Sequence, residues 1–156
     1  MSDVARSQRI QPFLWFDTNA EVAANFYIGV FKNSRILSVV RNPGGAPGPK
    51  DSVLTISFEL DGQRFIALNG GPAHKFNEAV SLVVQCADQD EIDYYWARLT
   101  AGGSEIACGW LRDKFGLCWQ VVPERIGELV QHPKAMQAMM TMKKLDIETL
   151  QKAAQD

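Results

Sequence analysis

Apolar and polar residues alternate most regularly between Ser52 and Leu60, with Ile56, Phe58 and Leu60 on one face and Thr55, Ser57 and Glu59 on the other. A period of two marks a half-buried strand. The Asp61-Gly62 pair that follows favours a type I′ hairpin turn, so Gln63 to Asn69 is expected to return as the partner strand. Upstream, Gln11 to Phe16 (QPFLWF) reads as a strand, and Thr18 with Glu21 three residues on matches a capping box. Val22, Ala23, Phe26, Tyr27, Val30 and Phe31 then recur at helical spacing, and Arg35 to Arg41 (RILSVVR) is a second strand. Between that strand and the alternating one lies NPGGAPGPK, whose three prolines and three glycines exclude regular structure. Gly70-Gly71-Pro72 opens a loop that runs to about Glu78.

The same order begins again at Ser81. Ser81 to Cys86 (SLVVQC) predicts a strand, and Asp88 with Glu91 predicts a helix start. Ile92, Tyr95, Trp96 and Leu99 form an amphipathic stripe, and Gly102-Gly103 closes the helix. Strands near Glu105 to Cys108 and around Trp110 lead into GWLRDKFGLCWQVVP. That stretch reads as a hairpin, with Asp113 to Gly116 as the turn, Leu117 to Val122 as the strand and Pro123 as its end. Thr18 and Asp88 stand about 70 positions apart, and each helix carries an aromatic pair, Phe26-Tyr27 and Tyr95-Trp96, so the chain duplicates a pattern rather than residue identities. The tail is helical, with Pro133 suited to a first turn and Asp146 to capping a last helix that reaches Ala154. Met136, Met139, Met140 and Met142 are read as docking on the core, with a subunit contact as the other option.

Bulk properties narrow the function classes. A chain of 156 residues fits one domain with a sizeable core. A net charge of −2 gives no electrostatic footprint for nucleic acid. No apolar run is long enough to span a membrane, and MSDVARSQRIQ lacks the apolar region of a secretory signal. Cys86, Cys108 and Cys118 are odd in number, and no pair has C-x-x-C spacing, which argues against a disulfide framework or a zinc knuckle. They read as small hydrophobes, and a cytoplasmic location is expected.

Candidate chemistry is sparse. Gln120 is a polar amide inside an apolar strand; it either satisfies a neighbouring backbone group or presents a hydrogen-bonding amide to a ligand. Trp15, Trp110 and Trp119 read as core or interface residues, or as the walls of a site for a flat apolar ligand. His74 in the loop and Glu59 on the polar strand face are the weak candidates for acid–base work. Arg112 and Asp113 read as surface or turn chemistry, and His132 has no evident role. A glycine-rich turn between a strand and a helix, as a nucleotide-type cofactor site requires, is missing, because NPGGAPGPK is followed by a strand.

From about Ile10 to Leu150 the sequence resembles the PhnB-like branch of the vicinal oxygen chelate superfamily, which includes glyoxalase I, bleomycin-resistance proteins and extradiol dioxygenases. The resemblance rests on QPFLWFDTNAEVAANFY, FIALNGGP, FNEAVSLVVQCADQDEIDYYWARLTAGG, GWLRDKFGLCWQVVP and MQAMMTMKKLDIETL. The branch often carries an old label of ubiquinone 3-methyltransferase. The resemblance implies an α+β fold of two βαβββ modules curling into a half-barrel cup with C-terminal helices: module one near 10–72, module two near 78–123 and a tail over 124–156 of a single glyoxalase-like domain. In metal-using relatives four inward side chains, mostly His and Glu, hold one divalent ion. Carried onto this chain, those positions fall on Gln11, on or beside Asn69 with Ala67 as the other register, on Ser81 and on Gln120. Neutral amides and a hydroxyl lack the charge to hold such an ion tightly, so no metal site is expected.

The leading expectation is a metal-independent, homodimeric protein that binds a small organic ligand through Gln11, Trp15, Asn69, Ser81, Trp119 and Gln120. A metal-dependent lyase, isomerase or dioxygenase that recruits His74 or Glu59 is the alternative. A structural or regulatory dimer without ligand is the third reading.

Overall fold

The computed structural model describes residues 8–156. Residues 1–7, part of the stretch read as lacking a secretory signal, lie outside the described residues. The chain divides after Lys75 into two compact units.

The first unit runs β1 (Phe13–Phe16), α1 (Ala20–Val30), β2 (Arg35–Arg41), β3 (Val53–Leu60) and β4 (Gln63–Asn69). Its sheet has the order β1-β4-β3-β2, with β1 parallel to β4 and the other pairs antiparallel. The alternation in β3 decides which side is core. Ile56 pairs with Ala67 and Phe58 with Phe65, all four are buried, and α1 packs onto these two strands. Tyr27 of α1 stacks over Phe58, which stacks in turn on Phe65. Asp61 and Gly62 take φ values of +47° and +82°, the doubly left-handed geometry of a type I′ turn.

The second unit repeats the scheme with β5 (Ser81–Cys86), α2 (Gln89–Thr100), β6 (Ser104–Glu105), β7 (Trp110–Arg112) and β8 (Cys118–Pro123). The order β5-β8-β7-β6, with β5 parallel to β8, matches the first sheet strand for strand. Asp88 caps α2 by accepting from the Glu91 N–H at 2.9 Å. Ile92, Trp96 and Leu99 are the buried residues of that helix. The tail adds α3 (Ile126–Leu129), α4 (Pro133–Met140) and α5 (Ile147–Gln155), the last capped by Asp146. The chain is therefore an α+β protein of two βαβββ modules with C-terminal helices.

Several local expectations are corrected. Thr18 does not cap α1. The N-cap is Asn19 without a side-chain bond, and the Ala20 N–H is taken instead by Asn69 Oδ1 at 2.8 Å. Val22 is exposed, and the buried stripe of α1 is Ala20, Ala23, Ala24, Tyr27 and Val30. β1 starts at Phe13 rather than Gln11, although the Pro12 carbonyl still accepts from the Ile66 N–H. The strand expected over Glu105 to Cys108 shrinks to two residues. Cys108 and Gly109 take φ of +56° and +84°, and their N–H groups bond the Met142 and Lys143 carbonyls. The NPGGAPGPK loop is organised by Asn42, which is 1% exposed. Its amide donates to the carbonyls of Ala46, Pro47 and Gly48, and its oxygen accepts from the Gly44 N–H. Of the tail methionines, Met139 and Met142 pack on a small core of Val122, Leu145 and Leu150, while Met136 and Met140 are exposed.

Candidate functional site

Each sheet has a second face, turned away from its helix, and the strand register identifies its residues, because cross-strand partners share a side. In the first sheet that face carries Phe13, Trp15, Ile66 and Leu68, flanked by Thr55, Ser57, Glu59 and Arg64. In the second it carries Ser81, Val83 and Gln85 of β5, Cys118, Gln120 and Val122 of β8, and Trp110 and Arg112 of β7. One face is apolar along its first and last strands; the other sets the polar Ser81, Gln85 and Gln120 among Val83, Cys118 and Val122 there.

The face of the second sheet holds a built cluster. Gln120 Nε2 donates to Ser81 Oγ at 2.9 Å. Beside them runs the cross-strand row Ser81, Cys118 and Arg112. Arg112 pairs through Nη2 with Glu78, just ahead of β5. Two strand spacings are about 10 Å, so the arginine side chain must reach over Cys118 toward β5 to make that pair. Cys118 is correspondingly fully buried although it lies on the open side. The Arg112 Nε is itself buried and makes no hydrogen bond among the described residues. At the far end of β8, Val122 packs against Leu145 and Leu150, so the tail covers that end and leaves the Ser81–Gln120–Arg112 region as the floor.

The other expected site residues lie elsewhere. Gln11 precedes β1, and its amide donates to the Gln8 carbonyl at 2.9 Å. Asn69 shares the buried side with Phe16. Besides holding the start of α1 it donates to the Val53 carbonyl at 3.0 Å, which makes it a structural clamp. Trp119 is on the helix side, 3% exposed, with its indole N–H on Asp113 Oδ2 at 2.8 Å. Trp15 faces the open side, but its indole N–H is taken by the Gly71 carbonyl, and His74 meets its ring edge-on at 4.7 Å. Gly70 is required there, since a Cβ would fall 2.5 Å from the indole. Glu59 is paired with Arg35 at 3.3 Å. Burial, with Glu91, Asp88 and Glu124 nearby, pushes the Cys86 thiol up to about 12, so it stays protonated and inert.

Of the four carried-over positions, the second unit brings Ser81 and Gln120 together, while Gln11 bonds the nearby Gln8 carbonyl and Asn69 bonds Ala20 and Val53 within the first unit. The sequence marks Arg112 as turn or surface chemistry; its side chain is 41% exposed, and the register adds that it shares a sheet face with Ser81 and Gln120. The signal available was the alternation Trp110–Leu111–Arg112, in which the apolar Leu111 takes the core and sends its neighbours to the other side. Asp113 is turn chemistry but not surface. It is 2% exposed and accepts from the N–H groups of Phe115 and Leu117 as well as from Trp119.

The family described as 3-demethylubiquinone-9 3-methyltransferase matches residues 8–122. The chain belongs to this PhnB-like family of the vicinal oxygen chelate superfamily. A Bacillus cereus PhnB protein, described under the same methyltransferase name, is 34% identical over 74% of this chain and 99% of its own, with a TM-score of 0.67. A Pseudomonas aeruginosa protein is 21% identical over 75% and 98%, with a TM-score of 0.61. The fosfomycin resistance protein FosX of Listeria monocytogenes, solved with Mn(II) and sulfate, is 13% identical over 80% and 96%, with a TM-score of 0.53, a likeness of fold. No curated protein matches the chain.

Neither group these names bring to mind fits the residues present. The glycines of the 42–50 loop join β2 to β3, not a strand to a helix, and offer no helix N-terminus to a methyl-donor nucleotide. Among the described residues no three His, Cys, Asp or Glu stand together, and the PhnB-like floor carries a guanidinium, which repels a cation. Among the described residues no helix is long and apolar enough to cross a membrane.

Proposed function

We propose that this PhnB-like protein binds a small organic ligand without a metal ion, on the Ser81–Gln120–Arg112 floor of its second module. The observation that carries the reading is the Gln120–Ser81 hydrogen bond on an open sheet face. A neutral amide and a hydroxyl hold a ligand by directed hydrogen bonds, and Trp110 beside Gln120 supplies an apolar wall. The fit with a cation is poor, since Glu78 is paired with Arg112. A metal-dependent enzyme would have to draw on His74 or Glu59, and the Trp15 and Arg35 contacts of those residues favour other roles. A second copy of the chain is part of this reading, and the exposed Phe13 and Val40 lie on the side of the first sheet turned away from its helix.

The test is calorimetric titration with Zn²⁺, Mn²⁺, Ni²⁺ and Fe²⁺, then a panel of small aromatic and polar compounds read by tryptophan emission. The expected result is no tight ion binding, together with at least one compound whose binding weakens about tenfold in Gln120→Ala. One-to-one ion binding lost in Gln120→Ala would overturn the reading.

A further inference from the structure

Arg112 gives the floor a chemical preference, and this inference rests on the ligand-binding reading above. A guanidinium offers five N–H donors in a fixed fork. One nitrogen of Arg112, Nη2, is engaged by Glu78, a carboxylate on the half-exposed side of the cluster. The Nε–H is buried without a hydrogen bond among the described residues. A buried donor left unpaired is costly, and the cost is relieved by an acceptor brought in from outside. The neighbours on the same face can add to such an acceptor. Ser81 uses its Oγ as acceptor for Gln120, which leaves its hydroxyl proton to donate. Cys118, which lies between them in the cross-strand row, is a small side chain. The charged groups of this cluster are thus one arginine and one partly exposed glutamate that faces its Nη2.

We propose that the second-module floor binds the oxyanion group of a small organic acid, through the Arg112 Nε–H and the Ser81 hydroxyl. Carboxylates and phosphate-type groups share this chemistry, since either presents two oxygens to a guanidinium edge. The bound oxyanion would compete with Glu78 for Arg112 rather than add to that pair, so Glu78 sets the affinity from below. Gln120 holds the serine in position and reads the remainder of the ligand.

The experiment titrates the full chain with inorganic phosphate, acetate and the uncharged compound benzyl alcohol. It follows the Arg Nε–H resonances by ¹⁵N NMR and the heats by calorimetry. One Arg Nε–H signal, lost in Arg112→Lys, is expected to shift with phosphate, with acetate or with both; which of them shifts it separates the two sources. Affinity should fall at least tenfold in Arg112→Lys, which keeps the charge and loses the fork, and should rise several-fold in Glu78→Gln. A merely structural arginine predicts the opposite for Glu78→Gln, because losing that pair would only loosen the site. Phosphate and acetate both silent up to tens of millimolar, or binding that Arg112→Lys leaves unchanged, overturns the proposal. Benzyl alcohol bound in a Gln120-dependent way alongside silent anions would sink the oxyanion proposal alone; silence of all three probes would count against the ligand-binding reading as well. The wild-type NMR arm needs no variant, so a misfolded substitution does not remove the test.

Discussion

On the side that meets its helix, the first sheet buries Ile56, Phe58, Phe65 and Ala67, and the second buries Leu111, Trp119 and Val121. On the opposite side they part company. The first sheet presents Phe13, Trp15, Ile66 and Leu68; the second presents Ser81, Gln120 and Arg112. Strand order, pairing sense and helix placement are the same in both. The difference teaches that a duplicated module is held to its pattern only where it is packed. Apolar burial fixes one face of each strand, and a one-residue slip would turn that face to solvent. The other face is free to vary, and here the second module carries polar side chains on it while the first presents an apolar surface and an ordered loop against Trp15.

The strongest way to break this comparison is to attack the packed side of the second sheet. Asp113 is buried and accepts from two backbone N–H groups and from the Trp119 indole. Asp113→Ala removes the acceptor of two buried hydrogen bonds, from the Leu117 N–H and the Trp119 indole, and of a part-buried one from the Phe115 N–H, at about 1–3 kcal/mol for each buried bond lost, so a loss of about 2 kcal/mol or more is expected. Urea unfolding measures it. A loss under about 1 kcal/mol would mean that the hairpin is held by strand pairing alone.

A sharper contrast sets the two amides side by side. Asn69 and Gln120 both sit in the last strand of their modules, but Asn69 clamps the start of α1 and the Val53 carbonyl, whereas Gln120 bonds one serine on the open face. Asn69→Ala should cost about 1–2 kcal/mol, the value of a lost helix-start bond, and leave ligand binding alone. Gln120→Ala should change stability by under about 1 kcal/mol and weaken ligand binding. Thermal melts and the fluorescence titration together decide the matter. Equal stability losses in the two variants would make Gln120 a structural residue and remove the distinction between the faces.

Much of the architecture was legible because it depends on periodicity. The alternation of β3, the Asp61-Gly62 turn, the Asp88 cap and the repeat of the whole order follow from local chemistry that nothing distant overrides. The misreadings occur where a residue from far along the chain takes over a local role. Thr18 looks like a cap, but Asn69, fifty-odd positions later, supplies the oxygen, as no local pattern could indicate. Gln11 and Asn69 rest on the resemblance alone as site positions; the structure starts β1 at Phe13 and sets Asn69 on the same side as the buried Phe16. Trp119 and Gln120 are adjacent and so must face opposite ways; Leu111 opposite Trp119 was the clue to which was which. Arg112 looks like surface because a turn follows it, and strand alternation adds that it shares a face with Ser81, with Cys118 between them.

The smallest effect concerns a part that only the second unit has, the tail against Val122. Asp146 caps α5 by accepting from the Thr149 N–H at 2.8 Å, and that bond holds its carboxyl below the usual aspartate range. A carboxyl whose folded value is depressed adds stability that is complete above its unfolded value near pH 4 and fades as the pH falls through the folded value. Asp146 is exposed, so solvent screening limits the contribution to under about 1 kcal/mol. Acidification below about pH 4 should therefore loosen α5 and release Leu150 from Val122, at the covered end of the second sheet's open face. Amide exchange of Leu150 and Val122 is expected to speed up there, while Phe58 and Ala67 in the first sheet stay protected. Asp146→Asn keeps an acceptor at the cap but cannot titrate, so it should flatten this acid limb. If exchange at Leu150 keeps the same pH dependence in Asp146→Asn, the limb comes from other carboxyls and the cap is not the tail's acid-sensitive link.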